Sequence, residues 1–558
     1  MVDIKEPRIA ALFFAISCVL LFVMAWIQPF HFLPWPSAIN NGITCIAGLL
    51  LALNAFYANK RSIKFDERSI FVVVLMAIAF FVNLNFQAQS WPLEYLLLFI
   101  LGFLIYKTSG QNGEHALVYI SIASASSITA FLAIGGLFDL VELGADWNLP
   151  VSTSVRWQGF LMQANNTGTL LVLGYLAVVY QVEQFSKNSG PRVYRALAGT
   201  IGCVLVTLIG LAGVLVQSRT MALNFFLIIL VGILYLKKMR GISLIMLMVG
   251  PSAYLMGQWL LPKINRLTTS MSSDSVGFGG RGLDSNLRFE IWTDLLGALW
   301  QQPWLGYGVG GTVKAFLAIE SPSVVYGTYF SHAHNIVLEL LLWFGIPLGS
   351  VMVFFAGRSL WRIARHANEK TILPAMMLMT LLVHAMLELP LHYAYFLIPM
   401  TIIWGWLSGQ LPEQYQQKPL FTVSVRWFSG VAMLVLVPML YVVSVTYLHH
   451  EQSLRQAKLE MAIKGWVSPA EPPPFPVLWE LEALNDFVRV QDTDLLAPAQ
   501  LMRFHEVVSV YPAKTMIQKA VAVFSHNGDT ARATYWRNKG CLIYAGDFCE
   551  KVTDVGSG

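Results

Sequence analysis

Residues 331–347 read Ser-His-Ala-His-Asn-Ile-Val-Leu-Glu-Leu-Leu-Leu-Trp-Phe-Gly-Ile-Pro, and this stretch joins a long polar segment to an apolar run. His332, His334 and Asn335 therefore stand at the mouth of a helix that is apolar enough to enter a membrane. Placing an ionisable group in lipid raises the free energy, so imidazoles where a helix enters the membrane need a structural or a chemical reason. The structural alternative is that the two histidines cap the helix at the membrane surface.

The composition predicts a polytopic membrane protein. Of the 558 residues, 56% are hydrophobic and 12% are charged, and the mean hydropathy is +0.58. Soluble domains carry about 25% charged residues, twice this share. The formal net charge of +5 comes without a basic run interleaved with aromatic residues, so no nucleic-acid partner is predicted.

Apolar runs near the bilayer-spanning length of roughly 17–25 residues recur along the chain and predict an all-α membrane domain over residues 1–447. The first run has no small-residue cleavage site after it, so we interpret it as a retained span. Thirteen spans are predicted, at 9–28, 37–57, 69–86, 93–106, 116–138, 160–181, 196–216, 221–236, 242–261, 333–357, 371–389, 393–410 and 427–447.

The basic residues orient these spans, because cytoplasmic connections are enriched in Lys and Arg. With Lys5 and Arg8 in the cytoplasm, nineteen basic residues fall in the segments of that side. The five short connections of the opposite side hold only Arg156 and Arg219. The pattern predicts a cytoplasmic N-terminus and, since the number of spans is odd, a C-terminus on the other side.

A large outer loop is predicted over residues 262–332. Within it, 286–296 has the pattern of an amphipathic helix, with Asp284 or Ser285 as its N-cap. The aromatic residues of 300–311, which end this helix in a Pro/Gly turn region, suit a membrane interface.

The outer tail, residues 448–558, is predicted to form a small helical domain in water. Cys541 and Cys549 in this tail have a spacing that permits a disulfide in an oxidising compartment. The predicted helices of the tail are 451–466, 478–489, 498–510, 515–527 and 529–542.

Two arginines of the outer side are candidates for binding an anion. Arg219 lies between two apolar runs, where it would clamp a phosphorylated ligand or extend to a lipid phosphate. Arg288 lies on the predicted loop helix and would supply a second cation, or it would pair with Glu290 or Asp294. An arginine suits a diphosphate because its planar fork donates two hydrogen bonds and keeps its charge.

His384 and Glu388 are four residues apart and share one face of a predicted helix, as a structural pair or as a catalytic dyad. His332 and His334 form a lone pair in a loop, so no cluster has the spacing of a metal site. The sequence also has no phosphate-binding glycine loop before a helix and no Asp-rich motif. We therefore predict no metal, no cofactor and a donor that arrives already activated.

These motifs together resemble the O-antigen ligase/polymerase superfamily, and more closely its bacterial protein O-oligosaccharyltransferases of the PglL-like kind. The similarity covers most of the chain from about Arg156 to Leu411. It is specific because the motifs occur in the family's order and lie on one side of the membrane. The segments that carry it are His334-Asn335 with the following Ile336–Leu340 and Gly345, Ser218–Thr220, Arg288 with Trp292, Arg156–Asn165, and Glu388–Leu391 with Tyr393–Tyr395.

The resemblance implies a GT-C-like, metal-independent glycosyltransferase of the bacterial inner membrane, with its large loop and tail in the periplasm. It implies transfer of a preassembled glycan from undecaprenyl diphosphate to a Ser or Thr hydroxyl of a periplasmic acceptor protein such as a pilin. His334 is assigned as the catalytic base. The residues assigned to the lipid diphosphate and the substrates are Arg156, Gln163, Asn165, Arg219, Arg288, His332, Glu388, Tyr393 and Tyr395.

Two departures from the family pattern leave part of this assignment open. His392 stands where an aromatic or large residue is expected, and His332 precedes the motif histidine, so the role of base could be shared.

Three other functions compete with protein glycosylation. A lipopolysaccharide O-antigen ligase or a Wzy-type polymerase would use the same donor, but the tail of about 110 residues favours a protein acceptor. A flippase or transporter would place ionisable groups near the bilayer midplane, whereas the candidate residues here are predicted to lie near one surface of the membrane.

Overall fold

The computed structural model describes most of the chain. The described residues are 6–58, 62–66, 73–74, 77, 93–109, 114–137, 157–188, 191–239, 241–268, 285–415, 419–545 and 548–549. Most of the predicted third span at 69–86 lies outside them, and so do Arg156 and the predicted capping residue Asp284.

Within these ranges the chain is mostly helical, with eighteen α-helices and one two-stranded sheet. The elements are α1 (Glu6–Ile27), α2 (Ala38–Ala58), β1 (Ser62–Phe65), α3 (Leu93–Ser109), α4 (Glu114–Leu137), α5 (Ala164–Asn188), α6 (Arg192–Val216), α7 (Arg219–Leu234), α8 (Gly241–Thr268), α9 (Ser285–Gln301), α10 (Thr312–Ala318), α11 (Ile336–Arg365), α12 (Ile372–Ala385), α13 (Ala394–Gly409), β2 (Phe421–Ser424), α14 (Val425–Lys464), α15 (Trp479–Arg489), α16 (Pro498–Val510), α17 (Lys514–His526) and α18 (Thr530–Tyr544).

Six of these helices are long and apolar enough to cross a membrane: α4, α5, α6, α8, α11 and α14. Six shorter apolar helices, α1, α2, α3, α7, α12 and α13, coincide with further predicted spans. A spanning segment must satisfy its backbone hydrogen bonds internally, so long apolar runs become helices. The multi-pass membrane character is thus confirmed, while the count of thirteen spans stays a prediction.

The chain divides into two compact units. The first comprises residues 1–68, 98–282 and 357–437. Its centre is α5, which packs against α4, α6, α7, α8 and α12 and is buried along most of its length. Small residues permit these close approaches: a Cβ at Gly174 would collide with Ser126, and one at Gly250 with Tyr175.

A short antiparallel sheet in the first unit was not anticipated by the all-α prediction. β1 pairs with β2, with Ser62 opposite Ser424 and Phe65 opposite Phe421, whose rings also stack. The two strands are four residues each and more than 350 residues apart in the chain. Their pairing therefore leaves no signal in local periodicity.

The second unit comprises residues 69–97, 283–356 and 438–558, and so unites the outer loop with the tail. The last four tail helices begin and end within about two residues of the predicted bounds, and Cys541 is bonded to Cys549. The prediction of a separate helix at 451–466 was wrong, because α14 continues unbroken from Val425 to Lys464. The residues around the predicted break contain neither Gly nor Pro, so nothing there stops a helix.

The tail packs on the outer loop through backbone and side-chain contacts. Lys539 Nζ donates to the Ile319 carbonyl oxygen at 3.0 Å, and the Gly327 amide donates to the Ile543 carbonyl oxygen at 2.8 Å. Burial lowers the pKa of Lys314 to about 8, although the nearby carboxylate of Glu506 opposes this shift. The tail is thus a structural support of the loop.

Helix α11 is broken at Gly345, whose φ of 73° lies in the left-handed region. The break exposes backbone carbonyls of α11, and these accept hydrogen bonds from a turn of the outer loop. The Tyr307 amide donates to the Leu342 carbonyl at 2.7 Å, and the Gly308 amide donates to the Trp343 carbonyl at 3.0 Å. The turn that follows α9 is therefore bonded directly to α11.

Gly345→Ala should loosen this attachment. The backbone of Gly345, with φ 73° and ψ 171°, is one that almost only glycine adopts, and it costs another residue about 1–3 kcal/mol. The new Cβ would also collide with the Trp304 carbonyl. We expect a lower melting temperature for the detergent-solubilised protein and faster proteolysis of the outer loop.

Gly297→Ala is the matched control, since Gly297 lies inside α9 with open space around it. Alanine favours a helix over glycine, so its melting temperature should be unchanged or higher. Equal melting temperatures for the two variants would contradict the importance of the break.

Candidate active site

His332 and His334 lie on a short loop before α11, residues 331–335, which we call the histidine loop. His334 has an unusual backbone. Its φ of 53° is left-handed, which is uncommon for a residue with a side chain. Such a conformation persists only when the surrounding structure enforces it, and it is found preferentially at functional sites. Asn335 caps α11, since its Oδ1 accepts from the Val337 amide at 3.0 Å and the Leu338 amide at 3.2 Å.

The buried residue between the two histidines is held on both sides. The Ala333 amide donates to Glu339 Oε2 at 2.6 Å. The Ala333 carbonyl accepts from Trp292 Nε1 at 2.8 Å. Because α11 supplies the carboxylate and α9 supplies the indole, two helices fix the peptide on which both imidazoles depend.

Glu339 is the centre of this arrangement. It is fully buried, and its Oε1 accepts from Thr312 Oγ1 at 2.7 Å. Thr312 Oγ1 in turn accepts from Trp343 Nε1 at 3.0 Å. A buried carboxylate is tolerated only when it is hydrogen-bonded, so Glu339 draws α10 and the histidine loop onto α11. Glu339 is not among the site residues predicted from the sequence, although an acidic residue one turn into an apolar helix is a signal of a functional position.

The imidazoles pack against an aromatic cluster that α9 anchors. The His332 and His334 ring centroids are 4.1 Å apart, and Phe330 meets the His334 ring edge-on at 5.8 Å. Phe330 also contacts Tyr326, whose hydroxyl donates to Asp294 Oδ2 at 2.7 Å. Both histidines are half-buried.

Arg288 lies on α9 one turn before Trp292, and residues four apart share a helix face. Its side chain is half-buried. The predicted cation therefore stands on the side of α9 that holds the histidine loop.

The first unit contains a second polar cluster, organised by Glu388. Gln163 Nε2 donates to Glu388 Oε2 at 2.9 Å, and Asn165 Nδ2 donates to Oε1. His384 Nε2 lies 3.2 Å from Oε2, as the four-residue spacing predicted. His384 is fully buried and its Nδ1 lies 2.9 Å from Thr169 Oγ1, which favours the structural alternative for this pair.

This cluster continues to the first turn of α7. Ser218 Oγ donates to Asn165 Oδ1 at 2.8 Å and accepts from the Met221 amide, so Ser218 caps α7. Arg219 is the next residue and is exposed. A helix N-terminus and an arginine both favour an anion, so the network positions a cationic end of α7.

Two predicted tyrosines complete the first unit's site. The Tyr393 and Tyr395 rings stack with centroids 5.0 Å apart. Asn166 Nδ2 donates to the Tyr395 hydroxyl at 3.1 Å, and Trp26 Nε1 donates to the Tyr395 carbonyl at 3.0 Å. Tyr395 is thus enclosed by protein, whereas Tyr393 is partly exposed.

The predicted site residues are distributed over both units, and Arg156 lies outside the described residues. The part of the chain that the structure describes contains no group of three or more His, Cys, Asp or Glu side chains that could hold a metal ion. The first unit holds Gln163, Asn165, Arg219, Glu388, Tyr393 and Tyr395, and the second holds Arg288, His332 and His334.

Comparison with known families identifies two matching regions. Residues 203–354 match an O-antigen ligase family, and residues 373–555 match the family described as virulence factor membrane-bound polymerase, C-terminal. The first region contains the histidine loop with Arg219 and Arg288, and the second contains Glu388 and the tail.

Two relatives from Acinetobacter baylyi (strain ATCC 33305 / BD413 / ADP1) are similar along most of the chain. One is a general O-oligosaccharyltransferase, 25% identical over 439 residues, which are 75% of this chain and 74% of the relative. The other is a ComP-specific O-oligosaccharyltransferase, 26% identical over 387 residues, which are 67% of each chain. The protein carries the O-antigen ligase domain and is homologous to these O-oligosaccharyltransferases, so the predicted resemblance is confirmed.

Trp292→Phe should release the histidine loop, because it keeps an aromatic ring but removes the donor to the Ala333 carbonyl. An unsatisfied buried polar group costs about 1–3 kcal/mol. We expect a lower melting temperature and faster carbethoxylation of His332 and His334, measured by mass spectrometry.

Trp300→Phe is the control on the same helix, since Trp300 is exposed. It should leave the carbethoxylation rates unchanged. Identical rates in both variants would mean that the indole does not hold the loop.

Proposed function

We propose that the protein is a glycosyltransferase that moves a preassembled glycan from undecaprenyl diphosphate to a Ser or Thr hydroxyl of a periplasmic acceptor protein, such as a pilin-like subunit. It acts in the bacterial inner membrane, with the histidine loop and tail on the periplasmic side. The observation that carries the proposal is the left-handed His334, which Glu339 and Trp292 hold in place through Ala333.

His334 is the proposed base. The acceptor oxygen attacks the anomeric carbon of the glycan while the bond from that carbon to the diphosphate oxygen breaks. The hydroxyl proton goes to His334, and the bonding electron pair leaves with the lipid diphosphate. An imidazole ordinarily titrates near about 6.5, so it suits proton removal at neutral pH.

Arg219 and Arg288 are the proposed partners of the diphosphate. Charge grows on the leaving phosphate as the bond breaks, and fixed cations lower the barrier by stabilising that charge. Arg219 begins α7, where the helix N-terminus adds to its effect, and Arg288 shares a face of α9 with Trp292. Arg156, His332 and Tyr393 are assigned as further substrate contacts, as the resemblance implies.

Glu388 is proposed to act through its hydrogen-bonding network. Gln163 and Asn165 bind this carboxylate, and Asn165 extends the network to the Ser218 cap beside Arg219. The three side chains would therefore orient the start of α7 toward the donor, while the Tyr395 hydroxyl accepts a hydrogen bond from Asn166, the residue after Asn165.

A protein acceptor is favoured over a lipid acceptor by two observations. Both relatives are named as O-oligosaccharyltransferases, and one of them is specific for ComP. The tail packs on the outer loop, where Lys539 donates to the Ile319 carbonyl and the Ile543 carbonyl accepts from the Gly327 amide, so an acceptor bound to the tail would lie near the segment that leads to the histidine loop.

The decisive experiment is an assay with the purified full-length chain and a lipid-linked oligosaccharide. A pilin-like protein with accessible Ser and Thr residues and a lipid A–core acceptor are offered in parallel, with and without EDTA. We expect sugar on the protein in both conditions. Sugar only on lipid A–core would identify an O-antigen ligase, and glycan movement without a new glycosidic bond would identify a transporter.

In this assay, His334→Ala should lower the transfer rate by about 10²–10⁴-fold, the usual loss when a positioned base is removed. Expression and membrane insertion should be normal. His526→Ala is the control, since His526 is exposed at the end of a tail helix. Full activity of His334→Ala would refute the assignment, and a comparable loss in His332→Ala would show that the role is shared.

Arg288→Lys should lose much of the activity if the guanidinium binds the diphosphate through two hydrogen bonds, because a lysine keeps only the charge. The rate is compared with that of Arg288→Ala under saturating acceptor. A lysine variant as active as the unmodified protein would show that charge alone is sufficient.

A further inference from the structure

Helix α9 has two separate apolar faces. One face is buried against the rest of its unit and comprises Ile291, Leu295, Ala298 and Leu299. The other is formed by Phe289, Leu296 and Trp300, which are 64%, 45% and 70% exposed. Their spacing of seven and four residues places them in one stripe along the helix. An exposed apolar stripe of this kind indicates a surface that binds something apolar.

The stripe continues toward the apolar part of α11. Trp304 is 75% exposed and lies in the turn after α9. This turn is bonded to α11, since the Tyr307 amide donates to the Leu342 carbonyl and a Cβ at Gly306 would collide with that same carbonyl. Leu342 lies in the run Leu340–Phe344 of a helix apolar enough to span a membrane. The end of the stripe is therefore level with membrane-spanning residues.

The other side chains of α9 follow the order expected at a membrane surface. At 100° per residue, Trp292 falls between the buried face and the exposed stripe, and Arg288 falls within the arc of the buried face. Glu290 and Gln301 fall on the far side of the stripe, toward water. Helices that lie in the plane of a membrane interface combine an apolar face rich in aromatic residues with a polar face.

We propose that Phe289, Leu296, Trp300 and Trp304 form a membrane-docking surface, occupied by the lipids of the leaflet that faces the outer loop. Helix α9 then lies in the membrane interface with the stripe turned to the acyl chains. This docking does not depend on the proposed reaction.

The test is hydroxyl-radical footprinting of the unmodified full-length protein in nanodiscs of phosphatidylethanolamine and phosphatidylglycerol. Oxidation of Trp300 is compared by mass spectrometry with that of Trp466, a tail residue that is 50% exposed. We expect several-fold less oxidation at Trp300, although it is the more exposed of the two in the protein alone. Oxidation of Trp300 equal to or above that of Trp466 would overturn the proposal.

Spin labels give an independent measurement at neighbouring positions. Leu296→Cys and Trp300→Cys are compared with Gln301→Cys, which lies one residue further on the polar side, and the unmodified chain serves as the labelling blank. The ratio of oxygen to nickel-chelate accessibility should be several-fold higher at 296 and 300 than at 301. Equal ratios at the three positions would show that the stripe faces water.

Discussion

The second unit depends on one constraint, the burial of the Glu339 carboxylate near the start of an apolar helix. A carboxylate in such surroundings must accept hydrogen bonds, and Glu339 finds them in Thr312 and the Ala333 amide. Satisfying this one group brings α10, α11 and the histidine loop together. The left-handed backbone of His334 follows from these contacts, because the residues on both sides of it, Ala333 and Asn335, are held by hydrogen bonds.

Glu388 has the same effect in the first unit. It gathers Gln163 and Asn165, which lie more than 200 residues earlier in the chain, and His384, which lies at the end of α12. The network reaches the Ser218 cap, so the position of Arg219 depends on a buried carboxylate as well. In both units a buried, hydrogen-bonded carboxyl group holds the chemical groups beside it in a fixed geometry.

The outer loop and the tail are one structural body. The loop turn after α9 is bonded to the break in α11, and the tail is bonded to the loop through Lys539 and Gly327. Helix α9, the loop that carries the two imidazoles and the tail are therefore connected by hydrogen bonds within the second unit.

The sequence by itself determined the elements and the family. Apolar runs of spanning length became helices because lipid offers the backbone no other partner, and α16 begins at Pro498 and ends at Val510 as predicted. The close approach of His384 and Glu388 was also predictable, because residues four apart come together along a helical turn. Only the tertiary structure decided the partners of Glu339 and Glu388, the bonding of the outer turn to the break at Gly345 and the pairing of β1 with β2. These contacts join distant segments, and local periodicity carries no information about which donor a buried carboxylate will meet.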